Sequence, residues 1–301
     1  MRNKLTDELA VCGMNAALAV CEHHPQTVNR LFLREDRLPS FTGICKQLAE
    51  RKRPYKICED EELERICKSV HHQGVVAMIE EPVIDPLSVE DLDLWADEGR
   101  TGVILHSVGN DHNLGAIARA AAFFDVTYII LNEKDKSLRQ QPDFHADVSR
   151  ADNFRAEISG NAAPVIDNEL RLTTSAYRVA EGAFEYLTVR SIRSASAFLK
   201  DASRRLVTIG TDTRARMRIG DLSGIVKNMT SADGQGRSKI KVNKTGGRPG
   251  IALILGNEES GLPKDVKDKC SCILRIPGTG NIDSLNVSQA ASLFLHEIFE
   301  L

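Results

Sequence analysis

The chain has 301 residues, a formal net charge of −3 and an apolar share of 42%. This length allows two domains or one large one, and the composition is that of a globular protein rather than a disordered or fibrous one. The small net charge excludes a uniformly basic clamp for nucleic acid, although it says nothing against local basic patches.

The sequence contains no signal for a membrane or for export. No apolar run approaches the roughly 20 residues of a membrane span, and the N-terminus lacks the apolar core of a signal peptide. The seven cysteines are scattered and contain no CxxC pair. Cys270 and Cys272 have no nearby His or Cys partners, so we expect no metal site and place Cys272 in a core. We therefore expect a cytoplasmic protein without a metal.

Residues 7–80 alternate short apolar runs with helical patterns, which predicts a small α/β domain. Its predicted elements are a helix up to residue 24, a strand over Val28–Leu33, a helix over Ile44–Glu50, a strand over Tyr55–Ile57, a helix over Glu61–Ser69 and a last strand ending at Ile79. Gln73 and Gly74 are predicted to form the turn before that strand, with His71 and His72 capping it or contacting RNA.

Residues 81–99 are interpreted as a linker between two domains. The segment carries two prolines and several acidic residues before a short acidic helix over Val89–Glu98, which contains the only tryptophan, Trp95. A second domain is then predicted for residues 100–301.

That second domain alternates apolar strands with helices, which indicates a mostly parallel sheet covered on both faces. The predicted strands are 102–107, 127–131, 164–167, 185–189, 206–210, 251–255 and 272–276. The predicted helices are 113–124, 143–149, 173–180, 193–202, 263–269 and 285–300.

Basic residues are grouped in two places. One group is Lys46, Arg51–Arg53 and Lys56, and the other runs from Lys227 to Arg248. Within the second group, residues 230–250 are rich in glycine and polar residues, so we predict a mobile loop there. Either group is a solvated surface or a contact for RNA, and charge alone leaves both readings open.

Three stretches of the second domain place polar residues and glycines just after predicted strands. They are Asn113 to Arg119, Gly256 to Gly261 and Ile276 to Ser288. Taken singly, each is a strand–loop–helix connection whose Asn and Ser side chains cap helices. A P-loop is excluded because Leu262-Pro263 stand where Lys and Ser/Thr are required. A dinucleotide fingerprint fails because Asp283 replaces its third glycine.

Together these stretches resemble the three motifs of the SpoU (TrmH) family of the SPOUT superfamily. The matching residues are Asn113, Gly115, Arg119, Gly256, Asn257, Glu258, Gly261, Ile276, Pro277, Ser284, Leu285, Asn286 and Ser288. The resemblance implies S-adenosylmethionine-dependent methylation of a ribose 2′-hydroxyl in tRNA or rRNA, a homodimer, and a deep trefoil knot that forms the cofactor pocket. The segment His72–Ala77 resembles the substrate-binding domain of such enzymes, which is similar to RNA-binding ribosomal proteins.

The resemblance also implies roles for individual residues. The catalytic set carried over is Asn113, Arg119, Glu258, Ser284 and Asn286. The cofactor set is Thr211, Leu255, Gly256, Asn257, Ile276, Pro277, Ser284, Leu285 and Asn286. The sequence departs from the family pattern at Asp125, where a glycine is common, and at Gly278, where a methionine is common.

Arg119 is expected to lie nearest the chemistry. We expect a buried side chain that anchors an RNA phosphate and stabilises the forming alkoxide, because a neutral arginine is improbable as a base. The ordinary alternative is a structural ion pair with Glu258. The apolar face of the last helix, at Ala291, Phe294, Leu295 and Ile298, is predicted to form the dimer interface. A rival function is that of a non-catalytic RNA-binding or assembly protein.

Overall fold

The fold is that of a computed structural model, which describes residues 2–3, 8–132, 171–231, 240 and 247–301. The predicted helix at 143–149, the predicted strand at 164–167 and most of the predicted loop at 230–250 lie outside these residues. The described residues form two β-sheets with helices packed against them.

The first sheet has five strands in the order β1-β2-β5-β3-β4. Its strands are β1 Arg2–Asn3, β2 Glu8–Cys12, β3 Val28–Leu33, β4 Tyr55–Ile57 and β5 Val75–Glu80. The helices beside it are α1 Met14–His23, α2 Leu38–Glu50 and α3 Asp60–Cys67. β3 and β4 are parallel and the other pairs antiparallel. We call this part, residues 2–80, the N-terminal unit.

The turn predicted before β5 is present and is built by Gln73 and Gly74, which have φ angles of 52° and 82°. The buried His72 accepts a hydrogen bond from the Gly74 amide at Nδ1, 3.1 Å away. The Gln73 side chain accepts one from the Met14 amide at the start of α1, 2.8 Å away. His72 therefore caps this turn, as one of the two sequence interpretations had it.

The second sheet has seven strands in the order β10-β12-β9-β11-β6-β7-β8, and every pair is parallel. Its strands are β6 Thr101–Leu105, β7 Tyr128–Asn132, β8 Thr188–Ile192, β9 Val207–Thr211, β10 Met217–Arg218, β11 Ile251–Leu255 and β12 Cys272–Arg275. The predicted α/β fold with a largely parallel sheet is confirmed. The short strand β10 is a difference from the predicted set, and the trefoil knot stays a prediction.

The helices around this sheet are α4 Val89–Asp97, α5 Asp111–Phe123, α6 Thr174–Ala180, α7 Ala195–Ala202, α8 Leu222–Thr230, α9 Lys264–Lys267 and α10 Val287–Phe299. The helix α8 was absent from the sequence prediction. The strand predicted at 185–189 begins later, because Ala183–Tyr186 form a 3-10 turn. None of the described helices is long and apolar enough to cross a membrane.

Helix α4 packs on the second sheet, although it was predicted within a linker. Trp95 is fully buried, stacks on Tyr128 at 5.0 Å and donates from its indole nitrogen to the Ile251 carbonyl, 3.1 Å away. Gly102 lies directly beneath the ring, since a Cβ there would stand 2.3 Å from it. The tryptophan thus anchors residues 89–97 to the strands β6, β7 and β11.

The N-terminal unit and the second sheet share an apolar core. Ala17 and Val20 of α1 belong to the same buried cluster as Ala176 and Tyr177 of α6. Gly182, just after α6, approaches α1 so closely that a Cβ there would lie 2.7 Å from the Ala19 Cβ. Removing residues 1–85 would therefore uncover apolar surface on α6, which makes such a truncation a poor test of RNA binding.

The apolar face of α10 does not face outward, contrary to the basis of the dimer prediction. Ala291, Phe294, Leu295 and Ile298 are all buried in the core of their own chain. The exposed apolar residues of this region are Phe123, Leu293 and Phe299. A helix packed against a sheet needs one complete apolar face for its own chain, and this accounts for the pattern.

Cys272 is buried, as predicted. Over the described parts of the chain, no group of three His, Cys, Asp or Glu residues is arranged to hold a metal ion.

Candidate active site

Four neighbouring strands, β12, β9, β11 and β6, end at the same edge of the second sheet because all are parallel. The three motif stretches and Thr211 follow these strand ends. Ligands of parallel α/β sheets bind at this edge, where the loops leave the strands. The fold therefore brings together sequence stretches that lie up to 173 residues apart.

Asn113 connects the three motifs. It lies in the first turn of α5, 8% exposed. Its side-chain Nδ2 donates to Glu258 Oε1 of the second motif, and its Oδ1 accepts from Asn286 Nδ2 of the third motif at 3.0 Å. Both ends of one amide are used, so the relative positions of the three loops depend on this side chain.

Asn257 shapes the loop after β11. Its Oδ1 accepts from the Glu259 and Ser260 amides at 3.0 and 3.1 Å, and its Nδ2 donates to the Ser107 carbonyl at 2.9 Å. Ser107 has a φ of 61°, so the loop after β6 turns sharply where Asn257 holds it. The Asn257 side chain is occupied in joining two loops, which leaves its backbone for the predicted cofactor contact.

Gly256 and Gly261 close that same loop. A Cβ on Gly256 would stand 2.6 Å from the Gly261 carbonyl carbon, and Gly261 has a φ of 65°. The Gly261 amide donates to the Asn257 carbonyl at 2.9 Å. Gly256 therefore accepts no side chain without movement of the loop, whereas the Cβ position of Gly261 is open and only its positive φ favours glycine. The loop keeps bare backbone beside the end of Leu255.

The third motif is held at its two ends. Ile276 packs against the main core, and Asn286 caps α10 by accepting from the Ser288 amide at 2.8 Å. Between them Pro277, Ser284 and Leu285 are exposed. The capping interpretation thus holds for Asn286, which also bonds Asn113. The Cβ position of Gly278 faces open space.

Thr211 ends β9 at the same edge. Its hydroxyl donates to the Ile254 carbonyl at 3.2 Å, one residue before Leu255. The next residue, Asp212, accepts from Lys267 at 2.8 Å. The pKa of Asp212 lies below its usual value, because burial, which raises it, is outweighed by the hydrogen bonds from Lys267 and the Arg214 amide.

Arg119 differs from its prediction. Its side chain is 64% exposed rather than buried, and its ion pair is with Glu181, Nη1 to Oε1 at 3.8 Å, rather than with Glu258. Six residues of α-helix turn through about 600°, so Arg119 points roughly 120° away from Asn113. The alanines around it line the buried faces of α5, and Arg119 occupies the remaining face.

Two features of the site had no signal in the sequence. Glu181 accepts a hydrogen bond from Asn15 of the N-terminal unit at 2.6 Å, in addition to its contact with Arg119. His106, which follows β6, has a buried Nδ1 without a hydrogen-bond partner, while its amide donates to the Leu255 carbonyl at 2.9 Å. Both depend on contacts between residues far apart in the chain.

Curated relatives match the chain over nearly its whole length. It is 26% identical over 294 residues to the 23S rRNA (guanosine-2′-O-)-methyltransferase RlmB of Bordetella pertussis, covering 95% of each protein. It is 22% identical over 297 residues to the uncharacterized tRNA/rRNA methyltransferase YfiF of Escherichia coli O157:H7, covering 99% of this chain and 69% of that protein.

Solved structures show the same fold. The SpoU methyltransferase AviRb from Streptomyces viridochromogenes, in complex with AdoMet, has a TM-score of 0.62 and 19% identity, over 100% of this chain and 93% of that one. An AdoMet-bound rRNA methyltransferase from Sinorhizobium meliloti has a TM-score of 0.63 and 18% identity, over 97% of this chain and 87% of that one.

Family models match two parts of the chain. The model for RNA 2′-O ribose methyltransferase substrate binding matches residues 10–83, which overlap nearly all of the predicted substrate-binding domain at 7–80. The model for the SpoU rRNA Methylase family matches residues 156–296, which include the second and third motifs. Together they match more than half of the sequence. With its parallel sheet and its three joined motifs, the chain belongs to the SpoU methyltransferase family.

Proposed function

We propose that this protein transfers a methyl group from S-adenosylmethionine to a ribose 2′-hydroxyl of tRNA or rRNA. The observation that carries the proposal is the chain of hydrogen bonds Glu258–Asn113–Asn286 at the carboxyl edge of the parallel strands. It unites the polar residues of all three motifs, which a scaffold that only packs would not require. The methyltransferase activity for which the relatives are named agrees with it.

The loops at this edge fit S-adenosylmethionine as cofactor. Gly256 and Gly261 leave bare backbone in the loop after Leu255, where a Cβ on Gly256 would collide with the backbone of Gly261 and Leu262. Bare backbone is what a nucleoside needs for close approach. We propose that the backbone of Leu255, Gly256, Asn257, Ile276 and Leu285 holds the adenosine, with Thr211, Pro277, Ser284 and Asn286 lining the same pocket. When bound, S-adenosylmethionine supplies the methyl group.

The chain's own residues have three tasks in this reaction: binding the RNA, orienting the hydroxyl and assisting loss of its proton. Arg119 is exposed and its guanidinium is a cation with N–H donors only, so it suits a phosphate and the forming alkoxide rather than a proton. Asn113 and Glu258 fix each other and with Asn286 hold the motif loops in register. Ser284 is exposed at the same edge and is proposed to meet the ribose.

The N-terminal unit is proposed to select the RNA. We divide the chain into this RNA-binding domain at residues 7–80, a linker at 81–99 and a catalytic domain at 100–301. Arg51, Lys52 and Arg53 are all exposed at the end of α2. Replacing the three by Gln should weaken RNA binding severalfold while leaving cofactor affinity unchanged, because each charge lost removes one phosphate contact. Equal RNA affinity in that variant would exclude this surface.

We propose that the protein is a homodimer and that it acts on rRNA or tRNA in the cytoplasm. Phe123 and Phe299 are 80% and 50% exposed, and their rings pack on Phe124 at 5.0 and 6.1 Å. Contiguous exposed aromatic rings favour a partner surface. Light scattering at micromolar concentration should give a dimer, and Phe123→Glu should shift it to a monomer. A wild-type monomer under these conditions would contradict the assembly.

The rival function is that of a non-catalytic RNA-binding or assembly protein. A titration with S-adenosylmethionine distinguishes it from methyl transfer. Calorimetry with S-adenosylmethionine should show one site per chain in the wild type. Gly256→Ala should lose at least tenfold in affinity, because its new Cβ would displace the loop. Gly278→Ala is the matched control, since its Cβ position is open. Absence of binding by the folded wild type would favour the rival.

A further inference from the structure

Glu181 has a backbone conformation that is unusual for a glutamate. It follows the last residue of α6 with φ 51° and ψ 41°, a left-handed conformation that glycine or asparagine commonly supplies at helix ends. A charged residue in such a conformation suggests that its side chain has a use at this position. Gly182 follows with φ 91°, so the chain reverses direction within two residues.

The two carboxylate oxygens of Glu181 contact different parts of the molecule. Oε2 accepts a hydrogen bond of 2.6 Å from Asn15 Nδ2 on α1 of the N-terminal unit. Oε1 lies 3.8 Å from Arg119 Nη1 on α5. One side chain thus bridges the proposed RNA-selecting unit and the proposed phosphate anchor.

The bridge is rigid on one side and loose on the other. Gly182 packs against the Ala19 Cβ and the Asn15 carbonyl, which fixes the corner that carries Glu181. By contrast, 3.8 Å is too long for a hydrogen bond, so the Glu181 carboxylate attracts Arg119 without using its N–H donors. Those donors stay available for a phosphate, which would bind them bidentately.

We propose that Glu181 is a positioning residue for Arg119 and that Asn15 fixes Glu181 in place. The inference rests on the proposed function, because it assigns Arg119 to an RNA phosphate. The Glu181 carboxylate holds the guanidinium over its own face of α5 until the stronger bidentate contact with phosphate replaces it. The N-terminal unit thereby contributes to the geometry of the reaction through Asn15, besides binding RNA.

The test measures kcat and KM for RNA, and separately the RNA affinity, in a mutant cycle. Glu181→Gln should lower kcat about tenfold through lost orientation, and should tighten RNA binding about threefold because a competing negative charge is removed. Asn15→Ala should lower kcat about threefold, without adding to the effect of Glu181→Gln. In an Arg119→Ala background, Glu181→Gln should change neither quantity.

Ser69→Ala is the matched control. Ser69 accepts a 2.7 Å hydrogen bond from Arg178 across the same surface between α6 and the N-terminal unit, without contacting Arg119. It should leave kcat unchanged. Equal effects of Glu181→Gln with and without Arg119, or a loss in Ser69→Ala equal to that in Asn15→Ala, would overturn the inference.

The two readouts also separate this inference from the proposed function. If the wild type transfers no methyl group, methyl transfer fails as the function, and the affinity cycle alone decides the role of Glu181. A gain in RNA affinity in Glu181→Gln that depends on Arg119 then supports the inference, and the absence of such a gain overturns it. If the wild type is active and the cycle is additive, only the inference fails.

Discussion

The first turn and the middle of helix α5 show how differently two residues of one motif are used. Asn113, at its beginning, is 8% exposed and bonded on both sides to residues of the other motifs. Arg119, six residues later, is 64% exposed and has a single long ion pair. The first is a structural joint between loops, and the second is a charge without a strong partner among the residues that the structure describes.

This contrast teaches that a motif shared in sequence does not define one cluster in space. Helical geometry turns Asn113 and Arg119 to different faces. A side chain whose polar atoms are all satisfied contributes mainly to the shape of the site, whereas an exposed, unsatisfied cation gains most from binding an anion.

Arg119→Ala should reduce methyl transfer by about a hundredfold or more, since one charged anchor at an alkoxide is worth roughly 3 kcal/mol. Stability should change by less than about 0.5 kcal/mol, because the side chain is exposed. Arg119→Lys should recover little activity, as it lacks the planar fork. Transfer of a labelled methyl group measures the activity, and urea unfolding measures the stability. Arg193→Ala, at another exposed arginine, is the control. Normal turnover in Arg119→Ala would remove the residue from the chemistry.

Asn113→Ala should lower stability and activity together. It leaves the Glu258 carboxylate and the Asn286 amide without their shared partner, which costs roughly 1–3 kcal/mol. Asn113→Asp should be at least as harmful above pH about 5, because a second carboxylate would then face Glu258. Urea unfolding gives the free energy. An unchanged midpoint in Asn113→Ala would show that the joint is not needed for folding.

The contrast extends to two carboxylates after α6, the half-buried Glu181, whose side chain is 29% exposed, and Glu185, whose side chain is 6% exposed. Burial raises the pKa of Glu185 to about 7 from 4.5. Between these values the native state binds more protons than the unfolded state, so its contribution to stability falls as pH rises from about 4.5 to 7. His24 Nε2 lies 3.3 Å from Glu185 Oε2.

The check is the free energy of unfolding of the wild type minus that of Glu185→Gln, followed from pH 4.5 to 8. The difference should decrease toward neutral pH and then level off. A difference that stays constant, or that rises over this window, would contradict a raised pKa.

Asp125→Gly should give the smallest effect. Asp125 follows α5 with a φ of 55°, at the position where the family resemblance leads us to expect glycine. Relief of the left-handed conformation should add about 0.5 kcal/mol to the free energy of unfolding. The gain is small because the Asp125 charge also favours the protonated form of the half-buried Arg248. Asp125→Asn loses only the charge, because asparagine also tolerates the left-handed backbone conformation. This substitution should be neutral or slightly destabilising.

The sequence predicted those parts of the molecule that local pattern determines. Apolar runs at Ile251–Leu255 and Cys272–Arg275 marked buried parallel strands, and the three motifs identified the edge where their loops meet. The strand Met217–Arg218 escaped prediction because it is two exposed residues long and exists only through pairing with β12. The local sequence does not indicate such a pairing.

The same reasoning explains the errors at the site. Arg119 was predicted to be buried because alanines surround it, yet those alanines line the other faces of the helix. Glu181 was not considered, since its importance comes from Asn15, 166 residues away in the chain. The cofactor role of Asn257 stays a prediction, while the sequence did not indicate that its side chain joins two loops. Contacts over long sequence distances determine the last two cases, and helix geometry determines the first.

The most direct test of the account is the chemical identity of the product. Purified protein, labelled S-adenosylmethionine and unmodified tRNA or rRNA are incubated, and the RNA is digested to nucleosides for mass spectrometry. We predict label on the ribose 2′-oxygen of one nucleotide with the wild type, and about a hundredfold less with Arg119→Ala at unchanged cofactor affinity. Label on a base, or equal labelling by both proteins, would contradict the account.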